Sequence, residues 1–130
     1  MTLASTMLLA VNGTLMRGLP LNPNLLAVGA TFVREDHTAP CYRLWSIHDH
    51  YPAMIRDPQG GASIALELWQ ISPSGLVCVL EQEPPGLSIG RIQLASGDLV
   101  LGVLGEPWIC QGQPEITSYG GWRSYIEQAK

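Results

Sequence analysis

ASIALELWQI, residues 62–71, is followed directly by Ser72-Pro73. Its apolar residues include β-branched and aromatic side chains, which are typical of a strand, and alternation makes both of its faces mostly apolar. A serine followed by proline is a typical helix start, with the serine as N-cap. We therefore predict a buried strand over residues 62–71 and a helix from Ser72 to about Gln82.

Glu67 is the one charged residue in this strand. A carboxylate inside a sheet must be ion-paired, hydrogen-bonded, or protonated through a raised pKa. A raised pKa would suit acid–base catalysis, whereas pairing with an arginine such as Arg56 or Arg123 would be structural. Glu67 is the candidate catalytic residue, and both interpretations stay open at this point.

The rest of the chain predicts further short strands and helices. Asn22-Pro23 predicts a helix with Asn22 as N-cap that stops at Gly29, while residues 46–61 have the composition of a loop. Strands are predicted over residues 6–12, 31–34, 41–47, 88–94 and 99–105, and a last helix from 119 or 122 to 128. Strands without β-α-β alternation favour an α+β fold whose sheet is curled or closed, with a ligand at its mouth.

Composition narrows the classes of protein to consider. The 130 residues are 46% hydrophobic and 14% charged, which excludes disorder and fits one domain over residues 1–130. A net charge of −4 with seven scattered Lys and Arg argues against nucleic acid, and no apolar run reaches the roughly 20 residues of a membrane-spanning helix. Cys41, Cys78 and Cys110 are typical of reduced core thiols in a cytoplasmic protein.

His48-Asp49-His50 is the one motif that suggests a metal site. Two imidazoles two residues apart on a strand point the same way and can share a metal ion. Here the motif lies in the predicted loop beside Tyr51-Pro52, and no third ligand is evident. We predict a solvated loop, no metal site and no cofactor.

The loop NGTLMRG, residues 12–18, follows the first predicted strand. Glycines allow close approach of a backbone to a ligand, and successive N–H groups at such a turn can hold an anion. The alternative is a glycine-rich turn without a ligand. Both alternatives stay open from the residues alone.

Taken together, these segments resemble the C-terminal domain of allophanate hydrolase, which has a γ-glutamylcyclotransferase-like fold. The most specific matches are the Glu-x-Trp strand at Glu67 and the Gly-Gly-Trp-Arg sequence ending at Arg123. The matching stretches, in chain order, are residues 18–22, 38–44, 60–69, 84–90, 102–106 and 116–125.

The resemblance implies a mixed β-barrel with short peripheral helices and a pocket at the 13–18 loop that binds a small carboxylated metabolite. In the full enzyme an amidase domain deaminates allophanate, and the C-terminal domain is associated with decarboxylation of the N-carboxycarbamate product. The ligand-binding residues implied here are Asn12, Gly13, Thr14, Leu15, Gly18, Asn22, Tyr42, Ser63 and Arg123.

Two positions depart from the patterns that the resemblance implies. Leu15 stands where allophanate hydrolases carry a loop histidine, and Ser63 stands where we place the catalytic glutamate of the cyclotransferases. We therefore expect a small-anion-binding domain, non-catalytic or accessory, that works beside a separate amidase or as a homo-oligomer. Two alternatives make the protein an enzyme: decarboxylation of an N-carboxycarbamate-like compound, and γ-glutamyl cyclotransfer.

Overall fold

The computed structural model describes residues 5–128 as a mixed sheet with four short helices. Its strands are β1 (Met7–Val11), β2 (Thr31–His37), β3 (Tyr42–Ile47), β4 (Tyr51–Arg56), β5 (Ala65–Ile71), β6 (Leu87–Gln93) and β7 (Leu99–Gly105). Its helices are α1 (Asn22–Ala27), α2 (Pro73–Glu81), α3 (Pro107–Cys110) and α4 (Trp122–Gln128), with a 3₁₀ turn at Thr117–Tyr119.

Five strands form one sheet in the order β2-β5-β1-β7-β6, and β3 and β4 form a separate pair. The first strand is the centre of the larger sheet. It runs antiparallel to β5, with Val11 opposite Glu67, and parallel to β7, with Leu9 opposite Leu101. Because β1 is covered on both sides by neighbours, Leu9, Ala10 and Val11 are fully buried.

The α+β class and the mixed sheet are confirmed, but the predicted barrel is not. Strands β2 and β6 are the two edges of the larger sheet. Within residues 5–128, these edges meet through one isolated bridge, between Thr38 and Leu94. The sheet therefore curls without closing into a continuous barrel.

The segment around residues 62–82 folds largely as predicted. Strand β5 lies between β2 and the central β1, and α2 begins directly after it. Ser72 is the N-cap of α2, and its hydroxyl accepts a 3.1 Å hydrogen bond from the amide of Gly75. The strands predicted over residues 88–94 and 99–105 are also present, as β6 and β7, and they pair with each other as an antiparallel hairpin.

The predicted loop over residues 46–61 is wrong, because it contains β4. The chain reverses through His48 and Asp49, which adopt left-handed φ values of 53° and 57°, and β4 then pairs along its whole length with β3. Pro52 weakened the strand signal in the sequence. It is tolerated because β3 is the one strand that pairs with β4, so the proline lies on an edge strand.

Asn22 does not cap α1 as predicted. The N-cap is Leu21, and Asn22 is the first helical residue. Its side-chain amide instead donates a 2.8 Å hydrogen bond to the carbonyl of Leu15. Gly29 follows the end of α1 with a φ of 76°, as expected for a helix stop.

The prediction that all three cysteines are core thiols is wrong for one of them. Cys110 is buried and Cys41 is partly buried, but Cys78 is exposed on α2. In the described part of the chain, the helices are too short or too polar to cross a membrane.

Candidate functional site

The loop after β1 is held by its own backbone. The amide of Met16 donates to the carbonyl of Gly13 at 3.0 Å, and the amide of Leu21 donates to Thr14 at 2.9 Å. Leu15 and Met16 are buried and anchor the loop in the core. The loop is therefore fixed at both ends before any ligand binds.

Gly13 is required here by a close approach of the chain to itself. A Cβ at this position would lie 2.5 Å from Cδ of Pro52. Strand β4 thus packs directly against the loop, and its Tyr51 and Pro52 form one wall of a cleft there.

The backbone amides of Gly13, Thr14 and Leu15 have no acceptor among residues 5–128. The same three residues help to line an open cleft with a volume of about 20 Å³. A space of this size holds about one water molecule or the end of a carboxylate group. Successive unpaired N–H groups at a turn are typical of an anion site.

Glu83 is the acid that lines this cleft. It follows the end of α2 and is half-buried, and burial raises its pKa to about 7. No cation among the described residues lies within ion-pair distance of it. Burial raises the pKa of Tyr51, and the charge of Glu83 raises it further. Glu83 can therefore give or take a proton near neutral pH, in a cleft that Tyr51 and the loop residues also line.

Asn12 lies at the start of the loop, and its side chain is hydrogen-bonded within the protein. It is buried, and its amide donates a 3.0 Å hydrogen bond to the carbonyl of Val103. This bond ties the end of β1 to β7. The side chain of Asn12 therefore positions the loop.

Glu67 is buried and accepts four hydrogen bonds. Oε1 accepts from the amide of Arg17 at 2.9 Å and from the indole of Trp69 at 3.1 Å. Oε2 accepts from Nε of Arg17 at 3.2 Å and from Nη2 of Arg123 at 3.3 Å. Of the two arginines named from the sequence, Arg123 is the partner. The other, Arg56, bonds to Gln93 instead.

Glu67 and the free loop amides line different clefts. Glu67 and Arg123 contribute to a second cleft of about 210 Å³ between β2, β5 and the start of α4. The sequence placed the acid and the amides in one pocket, and the structure separates them. The hydrogen-bonding capacity of Glu67 is used by the protein itself.

The remaining predicted ligand residues have structural contacts. Tyr42 is fully buried, and its hydroxyl accepts a 2.9 Å hydrogen bond from the amide of Gln93. Ser63 is exposed, and its hydroxyl donates to the carbonyl of Thr38 at 2.5 Å. Gly18 adopts a φ of 75° with no atom near its absent Cβ, so it serves the turn. None of these three lines the loop cleft.

Sequence reasoning missed Glu83 and Tyr51. Glu83 ends a polar run at the close of a helix, where a solvated carboxylate is the ordinary expectation. The following Pro84-Pro85 pair was the available signal, because two prolines stop the helix and redirect the chain. Tyr51 was hidden in the segment predicted as a loop.

The His48-Asp49-His50 motif forms the turn between β3 and β4. Asp49 accepts 2.6 Å hydrogen bonds from the hydroxyls of Ser46 and Tyr125, and these bonds lower its pKa. Across residues 5–128, no group of three or more His, Cys, Asp or Glu side chains is arranged to hold a metal ion.

Comparison with known proteins identifies relatives of this chain. Residues 7–127 match the family model of the allophanate hydrolase C-terminal domain. The chain is 31% identical to urea amidolyase of Saccharomyces cerevisiae over 129 residues, a match that covers 94% of this chain and 7% of that protein. The chain therefore spans a small part of the length of this much longer relative.

Solved structures show the same similarity. A uropathogenic E. coli-specific protein is 54% identical with a TM-score of 0.93, and the match covers 95% of this chain and 97% of that one. Allophanate hydrolase of Kluyveromyces lactis is 29% identical with a TM-score of 0.91, over 97% of this chain and 22% of that one. An aig2-like protein of Mus musculus, 19% identical with a TM-score of 0.64 over 86% of each chain, shares the fold alone.

Proposed function

Because this chain belongs to the allophanate hydrolase C-terminal domain family, we propose that it binds the carboxylate of a small metabolite at the loop after β1. The observation that carries the proposal is the cleft that Glu83 lines together with Gly13, Thr14 and Leu15, whose amides have no acceptor among residues 5–128. Three N–H donors supply the anion contacts, and the acid opposite them sets the pH at which an anion is accepted.

Protonated Glu83 favours an anionic ligand, and ionised Glu83 opposes one. Its pKa of about 7 means that roughly half of the molecules carry a neutral carboxyl at neutral pH. A neutral carboxyl donates a hydrogen bond to the ligand oxygen, whereas a carboxylate repels it across a short distance. Binding of a carboxylate should therefore weaken as pH rises through 7.

Malonate is a suitable probe, because it replaces the nitrogen of N-carboxycarbamate by a methylene group. We expect amide resonances of Gly13, Thr14 and Leu15 to shift on titration with malonate, and the Kd to be about tenfold lower at pH 6 than at pH 8. Glu83→Gln should remove most of this pH dependence, while Glu127→Gln should keep it. Absence of shifts at the three amides, or shifts confined to the Glu67 cleft, would refute the proposed site.

A second candidate function is decarboxylation of an N-carboxycarbamate-like compound. The pKa of Glu83 favours it, because the reaction needs a proton donor near neutral pH. One C–N bond breaks, its electron pair stays on nitrogen and takes the proton of Glu83, and carbamate and carbon dioxide are released. Water then reprotonates Glu83.

The test is carbon dioxide release from freshly generated N-carboxycarbamate, measured against the buffer rate. The wild-type protein should accelerate release, and Glu83→Gln should lose most of the acceleration while Glu127→Gln retains it. A rate equal to that of buffer would contradict decarboxylation, and only the binding function would remain proposed. Release of 5-oxoproline from a γ-glutamyl amide, run in parallel, would instead support the cyclotransferase alternative.

The accessory role rests on the size of the relatives. The similar domain makes up 22% of the Kluyveromyces lactis allophanate hydrolase chain, so there it is covalently joined to other parts. For this chain we propose that it acts beside a separate amidase or as a homo-oligomer. Light scattering of the purified protein, alone and mixed with an allophanate-deaminating amidase, tests it, and a monomer that never joins the amidase would contradict it.

A further inference from the structure

An open groove of about 370 Å³ adjoins the proposed carboxylate site. Its walls include Tyr51, Pro85, Trp108 and Ile109, with the glutamines of the segment after α3 at its rim. None of its eight lining residues is Asp, Glu, Lys or Arg. His48 is the one ionisable side chain in the lining besides Tyr51. A groove with aromatic walls and no carboxylate, Lys or Arg suits an uncharged planar or apolar group.

Trp108 is the most exposed aromatic wall of this groove, with 57% of its surface accessible. Its indole N–H donates a 2.6 Å hydrogen bond to Oε1 of Glu106. This bond holds the ring in one orientation despite its exposure. A fixed, exposed indole next to a polar cleft is typical of ligand contact surfaces.

Gly86 joins the groove to the acid of the carboxylate site. It has a φ of 95°, and a Cβ there would lie 2.3 Å from Cγ2 of Ile109 and 3.1 Å from Cζ2 of Trp108. The amide of Glu106 donates a 2.8 Å hydrogen bond to the carbonyl of Gly86. The turn that follows Glu83 therefore packs directly onto α3.

Tyr51 lines both the carboxylate cleft and the groove. Glu83 and Pro85 make the same connection along the chain, two residues apart. Resting on the proposed function, we infer that the ligand is elongated, with a terminal carboxylate at the loop amides and an uncharged aromatic or aliphatic body in the groove. The two parts of the ligand meet at Tyr51.

This inference separates two ligand classes by size. A dianion as small as malonate places one carboxylate at the cleft and leaves most of the groove empty. An N-acyl amino acid has a carboxylate at one end, an uncharged amide in the middle and an apolar body at the other. The structure favours this second class because both ends then find a matching surface.

The test compares acetate, which has no body, with hippurate, which carries a benzoyl amide, by amide chemical-shift titration of the full chain at pH 6. We expect hippurate to bind at least about tenfold more tightly than acetate. Trp108→Ala should abolish that advantage and leave acetate binding unchanged, because the side chain is exposed and outside the cleft. Tyr119→Ala removes an exposed aromatic elsewhere and should keep the advantage.

The outcomes distinguish this inference from the proposed function. Equal affinities of acetate and hippurate, with shifts at Gly13–Leu15, overturn the inference and leave the carboxylate site standing. No binding of either acid overturns both. An equal loss of acetate and hippurate binding in Trp108→Ala would show that Trp108 acts through the fold, and would also overturn the inference.

Discussion

The backbone amide of Arg17 donates a 2.9 Å hydrogen bond to the carboxylate of Glu67, fifty positions along the chain. The loop after β1 therefore binds a carboxylate of the protein itself near its far end, while the amides of Gly13, Thr14 and Leu15 remain unpaired within residues 5–128. Glu67 fixes the loop, and the proposed function assigns the carboxylate of the ligand to the free amides in the cleft that Glu83 lines. The buried acid and the proposed ligand site therefore lie in separate clefts.

Glu67→Gln should destabilise the protein by about 2–3 kcal/mol, because the new amide nitrogen would face either two guanidinium groups or two buried N–H donors. Urea unfolding at pH 7 measures the loss. Glu35→Gln is the control, since Glu35 also pairs with Arg17 but is largely exposed, and roughly 0.5 kcal/mol or less is expected. A variant at position 67 with unchanged stability but no malonate binding would return the ligand role to Glu67.

Gly13→Ala should cost about 1–3 kcal/mol, because its Cβ would meet the ring of Pro52 at 2.5 Å. Replacing the ring removes the clash, so Pro52→Ala should recover part of the loss in the double variant. A double-mutant cycle by urea unfolding measures the coupling, for which we expect about 1 kcal/mol or more. Additive losses would mean that the glycine is needed for another reason.

The sequence predicts the central elements well because their signals are local. Strand β5 and helix α2 follow from an apolar run and a Ser-Pro start, and both are observed. Strand β4 was missed because Pro52 and the two left-handed residues before it look like loop chemistry. An edge strand tolerates such residues, but whether a strand is an edge depends on the whole topology.

One part of the candidate site has a local signal in the sequence, and the other part depends on the whole fold. The glycines of the 12–18 loop suggested an anion site or a turn without a ligand, and in the structure the amides of Gly13, Thr14 and Leu15 have no acceptor among residues 5–128. The acid that faces it could not be found, because the burial that raises the pKa of Glu83 comes from long-range packing. Glu67 drew attention instead, since a charge within an apolar strand is visible in the sequence.

Gly86→Ala should be more damaging than Gly97→Ala, although both glycines have nearly the same φ, 95° and 97°. Each alanine costs about 1–2 kcal/mol for the left-handed backbone. At position 97 nothing lies within 4 Å of the new Cβ, whereas at position 86 it meets Ile109 at 2.3 Å. The two variants should differ in unfolding free energy by about 1–3 kcal/mol. Equal losses of stability would show that α3 shifts away from the turn without cost and relieves the clash.

Glu83 should make the protein less stable as pH rises. Its pKa is about 7 in the folded state against an ordinary value of 4.5, so below pH 4.5 it is protonated in both states and has no effect. Between these values the unfolded chain releases the proton more readily, which favours unfolding, and above pH 7 the penalty is complete at about 3 kcal/mol. Glu83→Gln removes the titration. We expect the free energy of unfolding of the variant to match that of the wild type within about 1 kcal/mol at pH 5 and to exceed it by about 2–3 kcal/mol at pH 8, measured by urea unfolding.

The exposed-carboxylate variant Glu127→Gln should follow the wild-type curve of stability against pH, because both proteins keep Glu83. Parallel curves for Glu83→Gln and the wild type would mean that Glu83 titrates as a solvated acid, and the proposed proton donor at the loop would be lost with it.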